Sequence, residues 1–530
     1  ISPEVDLLGE KLGDEGISYI GNDSSAILAA NKSGSIRNGE ISIEYNEEWL
    51  KEKTNFYLKD SNILIMSYQI DGSREKFKVL NDYIEGYESV NFIVFPKEVP
   101  KEMQGMLNIV NRSLVPIVYK ESGKMGGVLT SSSTRREGLI TSLDIFPEIL
   151  SIYNESSRTA IGKRITSITN ENPLEFTKNF FKETVNLTWI TYALHGIAYY
   201  IQALCTYYFI KNRKDKFNDI LLYYNFVIIN ILMSFLLGFT TLNRNVFLYL
   251  AIILMFSYPI SLFITTKKLN PVGTVSTITY ILMVIGIIFY PKFIYNSYIG
   301  YDNLIYGARY YGFNNGAMAV LLATSIISYF SIVNRVNRKI LKDILLLVYF
   351  SLNILVLSVK FGANTGGFFT AIILLLTMIY LGLLNRKLSF KNVIILGVLG
   401  FIILFFNMYF DINSIDRSHA GNLIYRMKFL GKKEFLDMIG LKLKEIAFMV
   451  IIPPWNIVLV TQILLIKNFW EKHKRYYHNI DYKRPVIKKE YTVFLITGIV
   501  AFFSNDTGII AFVYLLQYLI VNLMNLYILD

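Results

Sequence analysis

From Leu187 to the C-terminus, apolar runs recur at about the 20-residue length that a hydrocarbon core about 30 Å thick demands of a helix. Eleven can be marked: Leu187–Ile210, Phe217–Phe239, Val246–Thr266, Val272–Tyr290, Ala317–Val333, Ile340–Val359, Gly366–Leu384, Val393–Phe410, Ile446–Ile466, Val493–Phe503 and Ile509–Leu529. The tenth is short and is followed by the polar break Ser504–Gly508, so residues 493–529 read either as one span or as two. Before Leu187 the pattern differs. Strand-like runs at Ile17–Ile20, Ile41–Tyr45, Ile63–Ser67, Phe92–Phe95 and Pro116–Tyr119 alternate with amphipathic helical segments near Glu4–Leu12, Arg74–Tyr87 and Asp144–Tyr153. That rhythm predicts an N-terminal α/β domain with a mostly parallel sheet over residues 1–155. A linker and juxtamembrane helix follow at 156–186, then an all-α polytopic transmembrane domain of about 11 helices at 187–530.

Charge orients these segments. The whole chain is 53% hydrophobic with a net charge of +12, unevenly spread. Residues 1–186 hold 27 acids and 21 bases, and the remainder holds 14 acids and 32 bases. Those bases sit in short clusters between apolar runs, the pattern of cytoplasmic loops rather than of a nucleic-acid surface, so no nucleic-acid partner is expected. The loops after spans one, three, five and seven hold Lys211–Lys216, Lys267-Lys268, Arg335–Lys339 and Arg386-Lys387, and Lys467–Lys489 holds eight bases. The alternate loops offer mainly Arg244, Lys292, Arg309 and Lys360. An exception, Asp411–Lys444, carries seven bases and reads as an amphipathic helix lying on the membrane surface. The expectation is a multi-pass plasma-membrane protein with its N-terminal domain outside the cell and its C-terminus in the cytoplasm. The single Cys205 permits no intrachain disulfide. The start, Ile1-Ser2-Pro3-Glu4, has neither Met nor a signal-like segment, so the domain is expected to begin partway through a longer protein.

Four polar clusters interrupt the apolar pattern: Gly307–Gly316, Phe361–Gly367, Ser414–Asn422 and Ser504–Gly508. In the topology above all four fall on the outer side. Polar groups at membrane depth are costly and mark functional candidates, although helix termini use the same residues as caps and turns. The candidate substrate-binding residues are Arg309, Tyr310, Asn314, Asn315, Asn364, Arg417, Asn505 and Asp506. Arg309, beside Tyr310 and Tyr311, either holds a phosphate or diphosphate through its planar fork or snorkels at an aromatic belt. Asp416 and His419, three apart, share a face on a helical turn and are candidates for a carboxylate-oriented general base. Asp506 either caps the last helix or serves as a proton or cation site. His195, inside the first span, reads as a packed or hydrogen-bonded histidine, and His473 and His478 as solvated ones.

The order Asn62–Ser67, a helix carrying Leu80–Ile84, Asn91–Pro96, Val115–Tyr119 and then Thr134–Leu150 resembles the C-terminal half of the alkaline phosphatase superfamily. That resemblance implies a metal site of Asp and His, with an Asp-His pair directly after the strand at Phe92–Phe95. Pro96–Pro100 stands there instead, and no histidine precedes His195. Zinc draws on His, Cys and carboxylates, so no zinc site is expected in residues 1–186, although Asp and Glu alone suit Mg²⁺ or Ca²⁺. The domain is therefore expected to be a non-catalytic relative that binds or scaffolds at the outer surface.

Arg309–Gly316 also resembles the Arg-x-x-Gly pattern of the O-antigen ligase and polymerase group. That likeness implies a bacterial cell-envelope enzyme acting on a lipid-linked glycan or lipid phosphate, with Arg309 and Arg417 on the diphosphate and His419 as base. Two other readings stand beside it. One is an assembly protein that recruits partners through the phosphatase-like domain, and the other is a transporter or flippase.

Overall fold

The computed structural model describes residues 6–106, 109–157, 159–306, 309–387, 389–412, 432–483 and 486–529. The chain divides into two units, Ile1–Phe180 and Phe181–Asp530.

In the first unit, helices α1 (Leu8–Lys11), α2 (Glu47–Tyr57), α3 (Arg74–Glu85), α4 (Lys101–Gln104) and α5 (Ile145–Ile152) alternate with short strands. The strands are β1 (Ile17–Ile20), β2 (Asn38–Glu40), β3 (Ile63–Met66), β4 (Phe92–Val94), β5 (Gly105–Met106), β6 (Ile109–Val110), β7 (Val118–Lys120), β8 (Gly127–Ser131) and β9 (Ile165–Thr169). Helix starts follow local chemistry. The Asn46 side chain accepts the Glu48 N–H at 2.8 Å to open α2, and the Ser73 hydroxyl accepts the Lys76 N–H at 3.3 Å to open α3. A small core of Leu8, Leu12, Ile17, Tyr19 and Leu150 lies against the first sheet.

The expected mostly parallel, alkaline-phosphatase-like sheet is not what forms. β1 runs parallel between β2 and β3, with Ser18 opposite Asn38 and Ile17 opposite Ile63. The later strands pair among themselves as antiparallel ribbons: β4 with β7, β5 with β6, and β8 with β9. Ile41–Tyr45 is not a strand either, since the paired segment stops at Glu40. The cause is that an apolar run of three to five residues signals a strand without naming its neighbour. Side-chain anchors choose it here. Phe92 packs edge-on against Tyr83 at 5.8 Å, and Lys120 donates to the carbonyls of Ile84 and Tyr87 at 2.7 Å each. Those contacts tie β7 to β4 and the end of α3, away from the parallel sheet.

Helix α6 (Pro173–Ile210) leads into the second unit, which is helical throughout its described residues apart from turns. Its helices are α7 (Phe217–Leu237), α8 (Val246–Thr266), α9 (Val272–Phe289), α10 (Lys292–Asn296), α11 (Asn315–Val333), α12 (Lys339–Leu357), α13 (Thr365–Met378), α14 (Phe390–Ile412), α15 (Lys432–Ile451), α16 (Trp455–Lys483), α17 (Val486–Ser504) and α18 (Gly508–Leu529). Among the described residues, seven stretches are long and apolar enough to cross a bilayer: Lys214–Leu237, Val246–Thr266, Val272–Phe289, Asn315–Val333, Lys339–Leu357, Thr365–Leu383 and Gly508–Leu529. They fit a multi-pass membrane protein. The two innermost are α11 and α18, with 89% and 83% of their most apolar stretch buried against 22% for α8.

The count of about 11 spanning helices is thereby corrected, among the described residues, to seven, or eight if one bent pair counts as a span. In α6 the apolar run is diluted by Thr188, Thr191, His195, Gln202 and Thr206. The apolar part of α14, Phe390–Phe406, is short for a span, and Lys488, Lys489 and Glu490 shorten the apolar run of α17. The ninth expected span breaks at Pro453-Pro454, and its halves Ile439–Ile451 and Trp455–Glu471 bend by 67°. Proline has no N–H to donate and clashes with the preceding turn, so a tandem pair ends one helix and starts another. Residues 493–529 form two helices. Asn505, Asp506 and Thr507 join α17 to α18, and the rings of Phe502 and Phe512 meet at 6.0 Å as the helices fold back on each other.

Candidate functional site

Three of the four polar clusters meet at one end of the helical unit. Asn314 caps α11: its side-chain oxygen accepts the Ala317 N–H at 2.8 Å, while its amide donates to the carbonyls of Ile299 and Tyr301 at 2.9 and 3.2 Å. Asn364 caps α13 in the same way, accepting the Gly367 N–H at 2.7 Å. Its amide donates to the Phe313 carbonyl at 3.0 Å and to the Asn315 side-chain oxygen at 3.1 Å, which joins the second cluster to the first. The Asn315 amide then donates to Asp506 Oδ1 at 2.9 Å and Thr507 Oγ1 at 2.5 Å, which brings in the third. The N-termini of α11, α13 and α18 thus share one polar junction.

Two glycines make the approach close enough. Gly312 has φ +79°, a conformation that costs a residue with a side chain. A Cβ there would lie 2.1 Å from the Gly362 carbonyl oxygen, the acceptor of the Phe313 N–H at 2.8 Å. At Gly366 a Cβ would lie 2.3 Å from the Asn505 side-chain oxygen. Asn505 itself donates to the Ala501 carbonyl at 2.8 Å, so it secures the end of α17.

Arg309 stands beside this junction with a different set of contacts. Its Nη1 donates to the Ala363 carbonyl at 2.8 Å, one residue before the α13 cap. Among the described residues no carboxylate lies within ion-pair distance of it. Its charge is nevertheless felt by Asp302 and Asp506. Burial pushes the Asp302 carboxyl above its ordinary value; the Arg309 charge opposes this and the Asp506 charge adds to it. Burial also pushes Asp506 up, but the Thr507 N–H, the Asn315 amide and the charges of Arg309 and Lys442 outweigh it, leaving Asp506 below its ordinary value. Asp506 therefore sits ionised at the start of α18, where the helix dipole favours a negative charge.

Of the residues singled out from sequence, Arg309, Asn314, Asn315, Asn364, Asn505 and Asp506 are gathered here. Tyr310 follows Arg309 in the chain and is half-buried. Asp416, Arg417 and His419 lie outside the described residues. His195 is packed, as its position within a helix implied: Nε2 is 2.6 Å from Tyr514 Oη, and the rings of Tyr199, Tyr298 and Trp455 surround it. Among the described residues, no group of three or more His, Cys, Asp or Glu is placed to hold a metal ion. Sequence reading passed over Asp302, and also Glu490, a carboxylate 7% exposed inside the helical unit. The signal for Glu490 was present, an acid in a helix of otherwise apolar and basic residues, but it lay under the bases of the preceding loop.

Compared with family models, with curated protein sequences and with solved structures, the chain matches none.

Proposed function

We propose that the second unit binds the phosphate or diphosphate head of a lipid-linked glycan or lipid phosphate, at the outer edge of a bacterial plasma membrane. The observation that carries this reading is Arg309. It is a half-buried guanidinium with one carbonyl partner and no described ion pair, set where three helix N-termini meet. A guanidinium presents parallel donors that match phosphate geometry, and helix N-termini add partial positive charge. Asn314, Asn315 and Asn364 hold those helix ends in place. The outward orientation rests on the distribution of Lys and Arg between alternate loops.

The test is binding of the purified full chain to vesicles that carry a polyprenyl phosphate, against vesicles of neutral phospholipid. Arg309→Ala is expected to weaken the preference for the anionic vesicles at least tenfold. Arg309→Lys, which keeps the charge without the fork, is expected to restore part of it. Equal binding by Arg309→Ala and the native chain rules the reading out.

A further inference from the structure

Helix α18 carries polar side chains at every turn of one face: Tyr514, Gln517 and Tyr518, Asn522, and Asn525. Spacings of three and four residues stack such positions along a helix. All five are less than 10% exposed, so the row runs through the interior and not along a wet surface. Each main position meets a different neighbouring helix. Tyr514 bonds His195 of α6 at 2.6 Å, and Gln462 of α16 donates to Gln517 Oε1 at 3.0 Å. Asn522 donates to Glu490 Oε1 of α17 at 2.9 Å, and Asn525 donates to Asn225 Oδ1 of α7 at 3.0 Å. At its upper end the row comes close to the polar junction: the Tyr514 ring lies against Gly316, the neighbour of Asn315, which bonds Asp506. Three proton-accepting groups therefore lie in sequence along α18: Asp506, His195 and Glu490. From Gly508 to residue 522 the helical rise is about 21 Å, most of a hydrocarbon core.

Interhelical amide pairs are ordinary glue between membrane helices, and that role accounts for Gln462 with Gln517 and for Asn525 with Asn225. It leaves two observations without a cause. First, Glu490 is buried with Asn522 as its described partner, and no cation among the described residues lies within ion-pair distance. Its neighbour Lys489 directs its Nζ to Asn385 at 2.7 Å instead. A carboxylate held by one amide in an apolar interior is costly unless it is protonated. Second, buried polar atoms with no hydrogen-bond partner line the same row: Tyr199 Oη, Gln462 Oε1, Gln517 Nε2, Tyr518 Oη and Asn525 Oδ1. Buried polar atoms are almost always satisfied. A file of water along the row would satisfy these, and it would also link the three titratable groups.

We propose that the polar row of α18 is a proton path through the helical unit, with Asp506 at one end, His195 between and Glu490 toward the other. A proton taken up at one carboxylate passes by hydrogen-bond exchange through Tyr514, His195 and the interposed water to the other, which releases it. Each group returns to its starting form, so one charge crosses and nothing is consumed.

The experiment uses the purified full chain in vesicles of neutral phospholipid that hold a pH-sensitive dye, with a potassium diffusion potential imposed by valinomycin. The native chain is expected to acidify or alkalinise the lumen, as the potential directs, at least tenfold faster than protein-free vesicles. Glu490→Gln is expected to fall to the protein-free rate, and Glu490→Asp to retain flux. Tyr518→Phe, which removes an unpartnered hydroxyl and nothing else, is expected to slow flux severalfold with unchanged helical circular dichroism, a change that a purely structural role would not produce. A native rate equal to that of empty vesicles overturns the proposal, as does a Glu490→Gln rate equal to the native one. If Glu490→Gln does not reconstitute as a monodisperse protein, His195→Phe takes its place, and an undiminished rate there overturns the path equally.

Discussion

Asp144 in the first unit and Glu490 in the second are both buried carboxylates, and their surroundings treat them in opposite ways. Asp144 is fully buried and accepts four hydrogen bonds: from the Ser131 and Ser133 hydroxyls at 2.7 and 2.5 Å, and from the Thr141 and Lys163 N–H groups at 2.8 Å each. All four donors lie within 19 residues of Asp144 in the chain, so the carboxylate works as a knot that fixes β8, the turn after it and the approach to β9. Glu490 has one amide, contributed from a helix 32 residues away. A carboxylate whose lone pairs are all taken is committed to structure, whereas one left short of donors keeps a proton equilibrium open. The same contrast holds for the two units as wholes. In the first, charges lie mainly in partly exposed pairs such as Lys53 with Glu40. In the second, polar groups line up inside.

Asp144→Ala should have the largest effect. It orphans four donors at once, and removing one partner from a buried charged network typically costs about 3–5 kcal/mol. Urea titration of the full chain, read by limited proteolysis of the first unit, should show that loss; a shift under about 1 kcal/mol would mean that Asp144 is not a knot. Next in size is Asn522→Leu, which removes the described partner of Glu490. Hydrogen bonds between membrane helices average well under those in a buried ionic knot, so the detergent thermal midpoint should fall by the equivalent of about 1 kcal/mol. A loss as large as that of Asp144→Ala would place Glu490 among the structural carboxylates. The smallest effect belongs to Lys51→Ala. Its i,i+4 pair with Glu47 is more than a third exposed on both sides, so stability should stay within the error of the same urea titration.

Seven of the eleven apolar runs became helices of spanning length because length and hydropathy are properties of a single segment. Local chemistry was equally legible. The caps at Asn314 and Asn364 follow from residue type beside an apolar run, whereas Ile446–Ile466 reads as one span because its hydropathy outweighs the two missing donors at Pro453-Pro454. Strand partnership in the first unit was not legible, since it depends on contacts such as Lys120 with the end of α3 that no periodicity announces. The candidate site was visible as clusters but not as a junction. Asn315 and Asp506 are 191 positions apart, and only the packing of α11 against the α17–α18 turn joins them. The polar row of α18 was present at helical spacing from Tyr514 to Asn525, yet it was hidden because the same residues sit inside a stretch that scores as uniformly apolar.

The three-residue turn at 505–507 has a consequence for where the ends of its two helices meet. The helices on either side of it reverse direction, and the Asn522–Glu490 bond sets the beginning of α17 beside the later turns of α18. The beginning of α17 and the end of α18 therefore lie at the same end of the helical unit. Labels placed near the start of α17 and near the end of α18 report one end of the unit and approach each other, whichever way the unit faces.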